Sequence, residues 1–208
     1  MNRIASIAAT VAVIITGLQS TAIANENIRT AIFAGGCFWC VESDFDNVKG
    51  VVDTTSGYIG GEAATAHYKL VSAGGSGHRE AVRITYDTSV TSYNKLLNVF
   101  WRSVDPTDSG GQFCDRGFSY STAVYYTDAN QKKIAEASKR ALATNGKPGA
   151  AIVTPIIAAT PFHPAESFHL DYASRNPLRY NFYRFRCGRD KQVKALWGDE
   201  AHAGIEKH

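Results

Sequence analysis

Cys37 and Cys40 stand three residues apart in Ala31-Ile32-Phe33-Ala34-Gly35-Gly36-Cys37-Phe38-Trp39-Cys40-Val41-Glu42, where an apolar run gives way to a helical one. A cysteine carried from a strand end into a helix start meets unsatisfied N–H groups and partial positive charge, both of which favour the thiolate. Cys37 is therefore the leading candidate nucleophile. Gly35-Gly36 permits a tight turn and leaves the sulfur open, while Phe38 and Trp39 set aromatic surface beside it. Such a wall suits an apolar or sulfur-bearing substrate. At i and i+3 on one helical face, Cys37 and Cys40 are near enough to close a disulfide or share a metal. The residues thus leave three chemistries open: a thioredoxin-like dithiol, half of a zinc site, and a nucleophile with a resolving thiol. Zinc needs a second ligand pair, and the sequence has no second CxxC and no HxxxH, only scattered histidines such as His163 and His169. The Gly74-Gly75-Ser76-Gly77 run leads into a strand, so it lacks the helix N-terminus that a phosphate cradle requires.

The elements that must hold these residues can be read from periodicity. Residues 28–34 form a short buried strand, followed by a helix from 37 to about 48 that Gly50 ends. Residues 51–58 and 80–86 are predicted strands; in the second, Ala81, Arg83 and Thr85 alternate with Val82, Ile84 and Tyr86. Thr91 or Ser92 caps a helix through Leu96, Leu97, Phe100 and Trp101. Residues 105–118 are Gly-rich and polar, a loop of the kind that carries function. A strand at 120–126, a helix at 128–144 capped by Asp128 and ended by Asn145-Gly146, and a strand at 150–158 follow. Pro164 opens a helical segment with Glu166, His169 and Tyr172, and a last helix passes through Leu196-Trp197. Between 179 and 186, arginines alternate with Tyr180, Phe182, Tyr183 and Phe185; they read as basic residues on the exposed side of an aromatic core segment. Alternating strands and helices give an α/β layer structure with a mixed sheet.

The chain has 208 residues, 44% hydrophobic and 20% charged, the composition of an ordinary globular protein of one domain. Met1-Asn2-Arg3, an apolar run from Ile4 to Leu18 and the small-x-small triplet Ala22-Ile23-Ala24 read as a secretory signal peptide over residues 1–24. The apolar run falls short of the ~20 residues that span a bilayer. The mature domain is expected to cover residues 25–208, without a membrane span, exported to an oxidising compartment such as the periplasm where disulfides persist. Removing Arg3 lowers the formal net charge from +3 to +2. So small a surplus, with no basic block, gives no support for nucleic-acid binding.

Several segments together resemble the peptide methionine sulfoxide reductase A family. Gly-Cys-Phe-Trp at 36–39 with Glu42 is its signature. Gly57-Tyr58-Ile59-Gly60-Gly61, Tyr68, Gly77-His78-Arg79-Glu80-Ala81-Val82-Arg83, Asp115-Arg116-Gly117 with Tyr120-Ser121, and Pro161-Phe162 through Ala165-Glu166, His169 and Tyr172 occur in the family's order. The match reaches to about Tyr180. It implies a two-layer α/β sandwich with a mixed sheet and a ferredoxin-like core. It also implies reduction of methionine S-sulfoxide, free or in proteins, by a monomer with no bound cofactor and no metal, recycled by an external dithiol such as thioredoxin.

The resemblance makes Cys37 the nucleophile for sulfur and Glu80 the acid for oxygen, although sequence alone would read Glu80 as an exposed strand residue. It assigns the hydroxyls of Tyr68 and Tyr120 to the sulfoxide oxygen, Phe38 and Trp39 to the methyl pocket, and Asp115 to the substrate backbone. Glu42, His67 and His78 stay outside the catalytic set; Glu42 is expected to steady the first helical turn. The product on Cys37 is a sulfenic acid, which a second thiol converts to a disulfide. Many family members have glycine in place of Cys40 and a recycling cysteine in a glycine-rich tail. Here Cys187 sits in Arg184-Phe185-Arg186-Cys187-Gly188, and Cys114 directly precedes Asp115. The expected path has Cys40 resolve Cys37 while Cys114 and Cys187 form a second pair; the competing path has Cys187 attack first, with Cys40 or Cys114 relaying. Outside the family, an exported thioredoxin-like oxidoreductase using Cys37 and Cys40 leaves Tyr68, Glu80, Asp115 and Tyr120 without roles. A disulfide-stabilised binding module does not call for a Gly-Gly-Cys elbow.

Overall fold

The computed structural model describes residues 26–144 and 148–206. The expected signal peptide and the Asn145-Gly146 helix stop lie outside the described residues. Six strands form one sheet in the order β7 (Ile156–Ala158), β6 (Ala123–Tyr126), β1 (Ile28–Ala34), β3 (Arg79–Asp87), β2 (Val51–Ile59), β8 (Phe162–Pro164). Every pairing is antiparallel except β6 with β7, so the sheet is mixed. The helices α1 (Phe38–Asp46) and α3 (Tyr93–Ser103) connect β1 to β2 and β3 to β6, threading the central strands as β6-β1-β3-β2. That is the ferredoxin-like arrangement.

The pleat decides which residues meet the helices. Ala31, Phe33, Val82, Ile84, Tyr86 and Val124 point to one face. There they pack on α1, α3, α4 (Ala129–Thr144) and α7 (Arg189–Trp197) through Phe45, Phe100, Leu142 and Trp197. Phe33 stacks on Phe100 at 4.9 Å between ring centres. The opposite face carries Ile32, Ala34, Ala81 and Tyr125 under Ile157, Ala159 and Phe162. Glu80 has the same parity as Val82 and Ile84, so the alternation of β3 turns its carboxyl toward the helix side. Among the described residues no helix is long and apolar enough to cross a membrane.

Several boundaries differ from expectation for local reasons. The strand expected at 150–158 is confined to β7, because the N–H groups of Val153 and Thr154 bond to the Pro106 carbonyl instead of extending the ladder. Pro164 does not open a helix. It ends the edge strand β8, where a missing N–H costs nothing, and helical structure waits until α5 (Tyr172–Arg175). The 105–118 loop contains a small hairpin, β4 (Gly111–Gln112) and β5 (Asp115–Arg116), whose turn is Phe113-Cys114. Ser92 is the cap of α3, accepting the Lys95 N–H.

The largest correction is α6 (Pro177–Cys187), a helix where alternation suggested a core segment with basic residues outside. The helical period places Tyr180, Arg184 and Cys187 inward and leaves Phe182 67% and Phe185 81% exposed. Arg184 is buried because Asp44 meets it there.

Candidate active site

Gly36 has φ +88, and a Cβ on it would fall 2.6 Å from the Gln112 Cβ, so only glycine makes this turn. It delivers Cys37 to the N-cap of α1, where the Cys37 carbonyl accepts the N–H groups of Cys40 and Val41. The first free N–H of the helix, that of Phe38, donates to Glu80 Oε2 at 3.0 Å, and the Cys37 side chain caps nothing.

This overturns the expectation of a lowered Cys37 pKa. Burial pushes the Cys37 thiol well up, and Cys40, Glu80 and Asp115 push the same way. Desolvation of a buried thiolate outweighs a helix terminus whose leading N–H is engaged elsewhere. Cys40 moves oppositely: the hydrogen bond it accepts from Cys37 lowers its pKa against the cost of burial, with Arg189 and Arg184 adding.

Glu80 is 2% exposed, not a surface strand residue. Burial raises its pKa to about 8, against the Phe38 N–H that favours the carboxylate. At neutral pH it is a carboxylic acid; Oε2 accepts from Phe38, leaving Oε1 to carry the proton.

Cys37 and Glu80 open on one cavity of about 60 Å³, room for a few heavy atoms. Phe38, Trp39, Tyr68, Asp115 and Tyr120, all expected at the site, line it together with Tyr183, which was not. Trp39 lies flat on Tyr172 at 3.7 Å and donates its indole N–H to His169 Nδ1 at 3.1 Å. Tyr68 begins α2 (Tyr68–Ala73) and gives its N–H to Glu166, whose other oxygen accepts the Tyr58 hydroxyl. Burial raises the pKa of both Tyr68 and Tyr120, so both keep their protons. Asp115 accepts the Tyr183 hydroxyl. Tyr183 was missed because it lies on α6; its spacing of four from Cys187 was the available signal.

Residues left outside the catalytic set have structural partners. His78 is fully buried and braces the Gly60-Gly61 turn, accepting the Gly61 N–H at Nδ1 and donating from Nε2 to the Glu62 carbonyl. Glu42 accepts the Ser56 N–H and so ties α1 to β2 rather than steadying the first turn; burial brings its pKa to about 7. His67 precedes α2 on the surface.

Cys114 and Cys187 are joined by a disulfide, and Cys37 and Cys40 are free. Cys187 Sγ lies 3.8 Å from Asp115 Oδ2, so the disulfide sits behind the cavity rim. Cys114, Asp115 and Cys187 converge closely enough to suggest a metal site, but the disulfide occupies both sulfurs. A larger groove of about 800 Å³ beside α6 contains neither free thiol nor Glu80, so the chemistry belongs to the smaller cavity.

A thiol facing a protonated carboxylic acid and tyrosine hydroxyls, with a second thiol hydrogen-bonded to the first, defines a thiol-based oxidoreductase that can take oxygen from a small apolar group. The sequence pattern of the peptide methionine sulfoxide reductase family matches residues 29–201, and the chain belongs to that family. It is 52% identical over 176 residues to peptide methionine sulfoxide reductase MsrA 2 of Rhizobium meliloti (strain 1021), covering 84% of this chain and 86% of that one. Among solved structures it resembles reduced Mxr1 of Saccharomyces cerevisiae, with TM-score 0.67 and 27% identity over 73% of this chain and 87% of that one. Methionine sulfoxide reductase A of Corynebacterium diphtheriae gives TM-score 0.65 and 29% identity, covering 74% and 78%.

Proposed function

We infer that the chain reduces methionine S-sulfoxide, free or within proteins, to methionine. The observation that carries this is Glu80, a buried acid with its pKa at about 8, sharing one small cavity with the Cys37 thiol. A sulfoxide loses its oxygen only if that oxygen is protonated, and Glu80 still holds a proton at neutral pH. In this reading Cys37 sulfur bonds to the sulfoxide sulfur as Glu80 gives its proton to oxygen. The hydroxyl passes from the methionine sulfur to the Cys37 sulfur as the new S–S bond breaks, so that methionine leaves, Cys37 holds a sulfenic acid, and the thiol's own proton restores Glu80. Tyr68 and Tyr120 donate to the oxygen, Phe38 and Trp39 enclose the methyl group, and Asp115 meets the substrate backbone.

Cys40 then resolves the sulfenic acid. It is the free thiol in contact with Cys37, whereas Cys187 is engaged with Cys114. A thioredoxin-like dithiol reduces the product disulfide; no bound cofactor is needed. A role purely as a dithiol oxidoreductase would leave Glu80 and the tyrosines idle. Single turnover with Cys37→Ser should yield no methionine, and normal turnover would sink the assignment. Peptide mapping after one equivalent of sulfoxide should return a Cys37–Cys40 disulfide; a Cys37–Cys187 crosslink would make Cys187 the resolving residue. The reading includes export, since the disulfide suits an oxidising compartment. Sequencing of the mature protein should begin at Asn25, and a Met1 start would remove this part.

A further inference from the structure

Behind Cys40, away from the cavity, lies a buried ionic cluster that the reaction so far does not use. Asp44 follows Cys40 by one helical turn on α1 and is fully buried. Arg184 of α6 reaches Asp44 Oδ1 at 2.8 Å and donates to the Tyr180 hydroxyl. Arg189, 1% exposed at the start of α7, lies 3.8 Å from Asp44 Oδ2 and donates to the carbonyls of Gly35 and Ser103. Its Nε has no hydrogen-bond partner among the described residues. Two guanidinium groups therefore face one buried carboxylate. Asp190 also pairs with Arg184, but its side chain is 56% exposed and also lies 3.2 Å from His202 Nε2, so its charge is partly spent in solvent.

A buried cation without a full counter-charge is costly, and Cys40, one helical turn before Asp44 on α1 and packed with Tyr180, is a buried group beside the cluster able to supply one. Cys40 packs with Cys37 and Tyr180 in one cluster, against which Tyr183 also lies. The other titratable groups that act on it are poor candidates for that charge. Cys37 on the same helix is pushed toward its thiol, Glu80 of β3 toward its acid, and Tyr180 and Tyr183 of α6 toward their phenols, in each case chiefly by burial, while Asp115 of β5, on which Arg189 also acts, is pushed up by burial and is engaged by the Tyr183 hydroxyl.

We propose that Arg184 and Arg189 form a cationic seat that holds Cys40 as a thiolate, making it the attacking sulfur once Cys37 is oxidised, and that the Cys114–Cys187 disulfide keeps the seat in place. The proposal rests on the reading of Cys37 as the sulfur oxidised by substrate. Cys40 attacks the sulfenic sulfur; an S–S bond forms, the S–O bond breaks, and the hydroxyl leaves as water with a proton from Glu80. The Cys40 sulfur is oxidised and the Cys37 sulfur reduced by the same amount. The arginines act through Cys40, as positioning residues. Cys187 stands between them, ending α6 three residues after Arg184 and two before Arg189, with Gly188 at φ +72 turning the chain into α7.

The test is the Cys40 thiolate fraction against pH, followed by thiolate ultraviolet absorbance and iodoacetamide alkylation, in the full chain carrying Cys37→Ser. There Cys40 is the one free thiol, and the serine hydroxyl keeps the hydrogen-bond donor. Arg189→Met should lower the thiolate fraction at neutral pH about ten-fold, and Arg189→Lys should restore most of it. Asp44→Asn, which removes the competing carboxylate, should shift the profile the other way; a role in packing alone would not give opposite signs. Unmoved profiles, or shifts of one sign for Arg189→Met and Asp44→Asn, would overturn the seat. If Arg189→Met fails to fold, Asp44→Asn and Arg189→Lys decide it together. Cys114→Ser with Cys187→Ser should bring Cys40 toward an ordinary thiol, and no change would remove the disulfide's part. None of these readings needs sulfoxide turnover, so their failure is distinct from failure of the reaction, which is read as methionine formed per chain.

Discussion

Glu80 is an acid that the fold keeps protonated at a cost in stability. Its folded-state pKa, about 8, lies above the ordinary value of 4.5. Across that window the folded chain holds a proton that the unfolded chain has released, so stability is full at low pH and declines as pH rises. The gap corresponds to at most about 5 kcal/mol. Denaturant unfolding should therefore show falling stability from about pH 5 to pH 8, with Glu42, raised to about 7, adding in the same direction. Glu80→Gln should flatten most of that decline; an unchanged slope would mean Glu80 ionises normally. The same titration sets the reaction: methionine formation should fall above about pH 8 as the acid loses its proton, and Glu80→Gln should be slow without that alkaline limb. At this scale the sequence motifs marked every side chain lining the cavity except Tyr183. They could not reveal the state of Cys37, because it depends on burial in the folded chain and on the engagement of the Phe38 N–H by a carboxyl group 42 residues away.

Elements are legible where one periodicity dominates. β1, α1 and β3 are legible to within a residue or two because β1 is a short apolar run buried on both faces, β3 alternates along its length, and Gly36 and Gly50 bracket α1. α6 was not, since Phe182 and Phe185 are exposed while Arg184 is buried, and alternation of aromatic and basic residues is ambiguous without knowing that Asp44 waits inside. Pro164 was misread because proline suits the end of an edge strand as well as the first turn of a helix. The strand-to-helix turn is the element on which the site depends most. Gly36→Ala would force a positive φ on an L side chain and drive its Cβ into Gln112, which itself holds the 105–112 loop through Asp105. The expected cost is about 1–3 kcal/mol in unfolding free energy, with slower methionine formation as Cys37 shifts against Glu80. Unaltered stability would show that the turn can relax without glycine.

At the level of the whole molecule, alternating strands and helices identified the layers, and the family motifs identified the ferredoxin-like core. What composition could not supply is the closure of the C-terminal third. Trp197 is buried with its indole N–H on the Val104 carbonyl, Arg189 reaches the Gly35 carbonyl, and Cys187 is bonded to Cys114. Each is a contact of long sequence separation. The disulfide spans 73 residues that include β6, α4, β7, β8 and most of α6. Closing a loop of that length restricts the unfolded chain by about 4 kcal/mol in the chain-entropy account. Cys114→Ser should therefore lower the urea midpoint of unfolding, and the parent chain measured in excess dithiol should fall to the same midpoint. The urea dependence should also steepen, because an uncrosslinked chain exposes more surface when it unfolds. A parent chain that keeps its midpoint in dithiol while Cys114→Ser loses stability would assign the loss to packing at Cys114 and not to the crosslink.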